Sequence, residues 1–247
     1  MTTAPAADQL RLLEVQALDT RAAQIAHQRT GHPARAVVDQ VAARLAESEA
    51  KVVDARTAVS DTTRELTKAE TDVEQVRTRA QRDQARVDSG AVSVKDVQAL
   101  SSELEALARR QGALEEIELE IMERLEEQEK TLAALTAEHE TLLEEYRAAV
   151  AELERVLADL DEQSAAVAQE RSHAVEGLDA GLVALYEKVR AQHGGLGVAP
   201  LRARRCEGCR LELNSSELAQ IMAAPAEEVL RCDECGRILV RESGASR

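Results

Sequence analysis

The chain has 247 residues but no Phe, no Trp and only Tyr146 and Tyr186, so its length suits one or two domains while its aromatic content excludes a large conventional core. Its net charge is −15, and the residues from Leu201 onward balance at eight basic and eight acidic, so the excess lies on the remainder, which would repel a polyanion. No apolar run reaches the roughly 20 residues needed to cross a bilayer, and nothing at the start resembles a secretory signal; the expectation is a cytoplasmic chain with no membrane role.

Residues 1–7 are small and polar and are expected to fray. A first helix is predicted over 8–29, with Val15, Leu18, Ala22 and Ile25 three and four apart, and Gly31-His32-Pro33 ends it. A second helix over 34–87 carries a heptad stripe from Val38 and Val41 through Ser48, Val52, Thr62, Ala69, Val73, Val76 and Asp83 to Val87. A stripe that narrow is a coiled-coil seam. Asp88-Ser89-Gly90 breaks the pattern, and Ser93 is placed to cap a third helix over 93–192. Its seam runs in phase from Val97 and Leu100 through Leu107, His139, Leu142 and Leu160 to Val167, then slips near Ala174 and resumes at Leu178, Leu182, Leu185 and Val189, which implies a bend or a change of partner.

Two seams joined by a short turn fold back as an antiparallel helical hairpin. With the turn centred near Gly90, facing residue numbers total about 181, an extrapolation from the hairpin geometry. Helix two then pairs with residues up to about Arg147, and Leu153, Val156, Leu160 and Val167 remain for helix one to cover. The domain reading is a helical hairpin over 1–193, a linker over 194–200 and a small module over 201–242. Within the module, Asn214 and Glu217 form a capping box for a short helix to about Met222, and Val229–Arg231 and Arg237–Val240 read as short strands. The fold class is mainly α with a four-cysteine ribbon at the C-terminal end.

That module holds all four cysteines, in the pairs Cys206-Glu207-Gly208-Cys209 and Cys232-Asp233-Glu234-Cys235. A two-residue gap lets both thiolates of a pair face one ion, and two such turns complete a tetrahedral sulfur shell. The ligand set Cys206, Cys209, Cys232 and Cys235 predicts one structural Zn(II) per chain. Gly208 and Gly236 are both expected at positive φ. A disulfide staple and a thioredoxin-type redox pair are the rival readings; the first suits an oxidising compartment and the second needs only one pair. Four protein ligands leave no place for an activated water, so the site is structural rather than catalytic.

The turn segment Gly90-Ala91-Val92-Ser93 leading to Gln98-Ala99-Leu100 and Glu103, the Gly-rich approach to the first cysteine pair, and Cys232-Asp233-Glu234-Cys235-Gly236-Arg237-Ile238-Leu239 together resemble the bacterial zinc-ribbon coiled-coil family, long catalogued as a domain of unknown function. The resemblance spans nearly the whole chain and implies a hook-like hairpin joined to a four-cysteine ribbon, without enzymatic activity. Characterised members are adaptors: some bind an alternative sigma factor and affect flagellar gene expression, one contacts a transcript, and another associates with secretion machinery. Val240 stands where the family pattern implies an aromatic residue.

No nucleophile–base set, phosphate loop or paired-carboxylate pocket is legible, and helical rods rarely form the concavity catalysis requires. The expected function is therefore a non-enzymatic adaptor for a protein partner, connected with transcription or its regulation, with oligomeric state left open. The alternative is nucleic-acid binding through Arg202, Arg204, Arg205, Arg210 and Arg237 of the ribbon, which has no aromatic ring for bases to stack on. Eight glutamates between Glu115 and Glu129, interrupted by Arg124 alone among basic residues, read as a solvated face, and Arg77, Arg79, Arg82 and Arg86 read as intramolecular partners of Glu103 and Glu105. His139 reads as a tolerated polar position in the seam.

Overall fold

A computed structural model describes residues 2–241; Met1 and the ribbon's expected last residue, Glu242, lie outside the described residues. Two compact units emerge, one of residues 36–151 and one that combines 1–35 with 152–247. The helices in order are α1 (Ala6–Gly31), α2 (Pro33–Asp88), α3 (Val94–Val175), α4 (Ala180–Gln192) and α5 (Ser215–Ala223). Strands β1 (Val198–Arg202), β2 (Arg205–Cys206), β3 (Leu230–Arg231) and β4 (Ile238–Arg241) form one sheet in the order β2-β1-β4-β3, with β1 and β4 parallel and both outer pairings antiparallel.

In the unit of 36–151, α2 buries Val41, Ser48, Val52, Thr62, Ala69, Val73, Val76 and Asp83, every one a member of the predicted stripe. Leu100, Leu107 and Leu142 are the matching buried positions of α3. The register departs from the expected total. Arg44 meets Glu145 at 3.1 Å and Glu65 meets Arg124, where a total of 181 sets them against Ala137 and Glu116. Helix ends at Asp88 and Val94 centre the turn at Ala91, which adds only about one to the expected total, and close to the turn Arg79 meets Glu103 as that total requires; farther out the flanking charges reach along the rod to partners of opposite sign. Ser93 caps α3 as predicted, its hydroxyl oxygen accepting from the Asp96 N–H at 3.3 Å.

The seam has local weak points. Among the described residues Ser48 Oγ, Gln128 Oε1 and His139 Nδ1 are buried without a hydrogen-bond partner. An unpaired buried polar atom costs about 1–3 kcal/mol. Ser48→Ala, which removes the atom without leaving a large void, should therefore stabilise the chain by roughly 1 kcal/mol. Thermal unfolding monitored by helicity checks this; a lowered midpoint would show that the hydroxyl has a stabilising role.

The second unit is where the structure departs most from expectation. The single helix predicted over 93–192 is two helices, broken between Val175 and Ala180. Gly177 takes φ +76° there, Asp179 caps α4 by accepting from the Leu182 N–H at 2.8 Å, and the Arg11 guanidinium donates to the carbonyls of Ala174 and Glu176 at the end of α3. The break turns Leu182, Tyr186 and Val189 onto Leu12 and Val15 of α1 and onto Val198, Ile238 and Val240 of the sheet, in one buried cluster. Lower on α1, Ile25 packs with Leu160 and Val167, beside Leu18, Ala22 and Val156, as the leftover seam of α3 requires.

Two further expectations are corrected by the same cluster. Residues 194–200 are not a free linker, since Val198 and Ala199 are strand residues 1% and 2% exposed. The segment from Thr2 is not frayed either: Ala4 is buried, its N–H donates to the Glu227 carbonyl at 2.8 Å, and the Thr2 carbonyl accepts from Val229 at 3.0 Å. Backbone groups with extended partners stay ordered however polar their side chains are.

Beneath the cluster lies a buried polar hub. The Asp19 side chain, 4% exposed, accepts from Arg171 at 2.6 Å and from the Tyr186 hydroxyl at 2.7 Å, and pairs with Arg190 at 3.1 Å. Glu187 also pairs with both arginines. The bond to Asp19 holds the Arg171 guanidinium above its ordinary range, and burial, with Asp19 second, pushes the Tyr186 phenol up. Gln16, also buried, accepts from the Gly197 N–H at 2.7 Å and donates to the Gly195 carbonyl at 2.9 Å, tying α1 to the start of β1. Buried polar groups are stable only when paired in this way.

Candidate metal centre

The two cysteine turns are built alike. In the first, the Arg210 N–H donates to the Cys206 carbonyl at 2.7 Å and the Cys206 N–H donates to the Leu211 carbonyl at 3.1 Å; in the second, Gly236 donates to the Cys232 carbonyl at 2.7 Å and Cys232 to the Arg237 carbonyl at 2.9 Å. Each loop is thus closed twice by its own backbone. The closure demands a left-handed residue directly after each second cysteine, and it finds Gly236 at φ +68° and Arg210 at φ +62°.

Gly208 has a different role from the one its position suggested. It is not among the positive-φ residues; instead, a Cβ there would lie 2.9 Å from Arg237 Cδ and 3.0 Å from Ala199 Cβ. Its small size lets the first turn sit on β1. Arg210, in the left-handed region, carries the strain that Gly236 avoids. Arg210→Gly should raise the stability of the ribbon by about 0.5–1 kcal/mol, and Gly236→Ala should lower it by about 1–2 kcal/mol. Competition against a calibrated chelator measures both; equal affinities in all three proteins would contradict the assignment.

The four sulfurs converge. Cys206 and Cys232 are buried, Cys209 and Cys235 half-buried, and all four Sγ atoms lie within 4.8 Å of one another. The Cys206–Cys235 and Cys209–Cys232 separations are each 3.9 Å. Tetrahedral sulfur at about 2.3 Å from one ion requires edges of about 3.8 Å, whereas a disulfide holds its sulfurs at about 2.05 Å. The donor set fits a tetrathiolate metal site and excludes the staple in this arrangement.

Electrostatics support the same fit. Burial pushes the Cys206 and Cys232 thiols up, and the N–H groups of Cys209 and Gly208, and of Cys235 and Glu234, pull them down less. At Cys235 burial is outweighed by the backbone and side chain of Arg237 acting together with the Cys232 and Cys209 side chains, which hold that thiol below its ordinary value. Four thiolates at this spacing need a cation to neutralise them.

Sequence reasoning missed one second-turn support. Asn214 caps α5 as expected, accepting from the Glu217 N–H at 2.8 Å, but Glu217 does not return to the cap. Its buried carboxylate turns to the Asp233 N–H at 3.4 Å, inside the second cysteine turn. The reach is tertiary, so no spacing in the sequence signals it.

The candidate arginines do not form one set. Arg202, Arg204 and Arg205 are exposed on or between β1 and β2, and Arg210 is exposed at the end of the first turn. Arg204 donates to Ser215 Oγ at 3.2 Å and Arg205 pairs with Glu207 at 2.8 Å. Arg237 turns inward, donating to the Leu196 carbonyl at 2.9 Å, and belongs to the scaffold of the site rather than to a contact surface.

A coiled-coil hairpin joined to a four-cysteine ribbon defines the class of this chain. It belongs to the family of the CT398-like coiled coil hairpin domain, matched over residues 15–194, and carries a C4-type zinc ribbon domain over residues 205–239. It is 37% identical over 238 residues to an uncharacterized protein of Mycobacterium tuberculosis strain H37Rv, covering 96% of this chain and 97% of that one. A solved structure from Mycobacterium smegmatis is 35% identical, with a TM-score of 0.87 and coverage of 97% of this chain and 100% of that chain. The HP0958 protein of Helicobacter pylori shares the fold at 15% identity and a TM-score of 0.51, with coverage of 98% and 99%. No helix among the described residues is long and apolar enough to cross a membrane.

Proposed function

We propose that the chain is a non-enzymatic cytoplasmic adaptor in which one structural Zn(II) holds the ribbon together and the helical surfaces receive a protein partner. The observation that carries this reading is the convergence of four protein sulfurs within 4.8 Å. Such a shell is closed and leaves no position for substrate or activated water. A place in transcription or its regulation forms part of the reading and rests on the family resemblance.

Because the ribbon sheet shares a buried cluster with α1 and α4, its separation at residue 194 would expose core, and the test uses the full chain. Crosslinking mass spectrometry in the native cell should return one recurrent protein attached through hairpin lysines such as Lys51, Lys68 and Lys130. A chain that crosslinks to no recurrent protein would overturn the adaptor reading.

Nucleic-acid binding is the second reading, favoured by the exposure of Arg202, Arg204, Arg205 and Arg210 around the first cysteine turn. It requires affinity that falls steeply with salt and drops when Arg204 and Arg205 are replaced by Ala. Binding insensitive to both would dismiss it.

A further inference from the structure

Charge is segregated along the unit of 36–151. At the turn end, between Arg77 and Arg110, seven basic residues outnumber five acidic ones, although the whole chain carries −15. Arg82, Lys95, Arg109 and Arg110 are exposed and make no ion pair among the described residues. Immediately beyond, Glu116, Glu120, Glu123 and Glu127 recur at steps of four and three on one face of α3, all exposed and none in an ion pair among the described residues. Leu119 lies beside that stripe, 58% exposed.

We propose that the hairpin pairs with a second copy of this chain through a two-fold axis, the arginine-rich end of each copy lying on the glutamate stripe of the other. A two-fold contact is self-complementary, so adjoining patches of opposite sign on one copy give two favourable contacts. A uniformly acidic partner would satisfy the arginines but meet the glutamates within a few turns. A partner whose basic and acidic stretches adjoin satisfies both, and this chain presents one. Leu119 supplies apolar area inside the charged frame. Repulsion between the two net charges acts at longer range and is screened beyond about 8 Å at physiological salt, which leaves the local contacts to decide.

The test uses full-length chain in sedimentation equilibrium. Wild type should be dimeric at about 150 mM salt, and its dissociation constant should rise at least about tenfold by about 500 mM. The variant Arg82→Glu/Arg109→Glu/Arg110→Glu and the variant Glu120→Lys/Glu123→Lys/Glu127→Lys should each be monomeric with unchanged helicity, because like charges then face each other. Mixed in equal amounts, the two variants should form a heterodimer. A wild type that is monomeric at about 150 mM salt, or a mixture that stays monomeric, overturns the proposal. So do variants that still dimerise alone. Since the wild-type salt series involves no substitution, the proposal remains exposed even if a variant fails to fold.

Discussion

Stripping the metal with a strong chelator, or replacing Cys232 with Ser, is expected to unfold residues 198–241 and loosen α1 and α4, while residues 36–151 stay helical. The ribbon core contains two of the four cysteines: Cys206 and Cys232 are buried with Ala199, Leu201, Leu213, Ile221 and Leu239. Structural metal of this kind contributes about 10–16 kcal/mol, against a total domain stability of about 5–15 kcal/mol. The neighbouring cluster loses Val198, Ile238 and Val240 if the sheet dissolves, which uncovers Leu12, Leu182 and Tyr186. Hairpin positions such as Val52 and Val73 do not depend on these contacts. Hydrogen exchange read by mass spectrometry should show deprotection in 198–241 first, then in α4, with 36–151 unchanged. Protection that persists through the ribbon in chelator would mean that the sheet is held by packing alone.

Removal of the Asp19 carboxylate has the second largest expected effect. Asp19→Ala leaves two guanidinium groups with Glu187 as their remaining carboxylate and the Tyr186 hydroxyl with the longer bond to Gln16 at 3.3 Å. Breaking a fully buried pair costs about 3–5 kcal/mol. Arg171 and Arg190 retain 27% and 34% exposure, so water recovers part of that and about 2–3 kcal/mol should remain. Tyr186→Phe, which deletes the hydroxyl and keeps the ring under Val198 and Ile238, should cost about 1–2 kcal/mol. The two losses should be less than additive, since they remove ends of one bond. A double-mutant cycle by urea unfolding measures the coupling; additive losses would show that the hydroxyl and the carboxylate act separately.

The elements written as periodic apolar stripes were legible in the residues. All eight buried positions of α2 fall on the heptad read from the sequence, because a coiled-coil seam is a local pattern whose partner follows from a short turn. The convergence of the four cysteines was equally legible, since spacing within each pair constrains the geometry before any tertiary contact forms. What escaped is tertiary. Asp19 lies four residues after Val15 and three before Ala22, on the face that packs inward, and a carboxylate there signals a buried partner without naming Arg171 or Arg190. The break before α4 was marked by a phase slip, but its cause, Arg11 on the end of α3 and Tyr186 beneath the sheet, comes from other parts of the chain. Gly208 and Arg210 show the same limit: a glycine inside the turn drew the conformational explanation, while the left-handed residue was an arginine.

X-ray absorption at the metal edge, combined with metal quantitation on the full chain, tests the sulfur cage most directly. The proposed site predicts one metal per chain with four sulfur scatterers at about 2.3 Å. Fewer than four sulfurs, a nitrogen or oxygen ligand in the shell, or cysteines recovered as disulfides from protein kept under reducing conditions would contradict it.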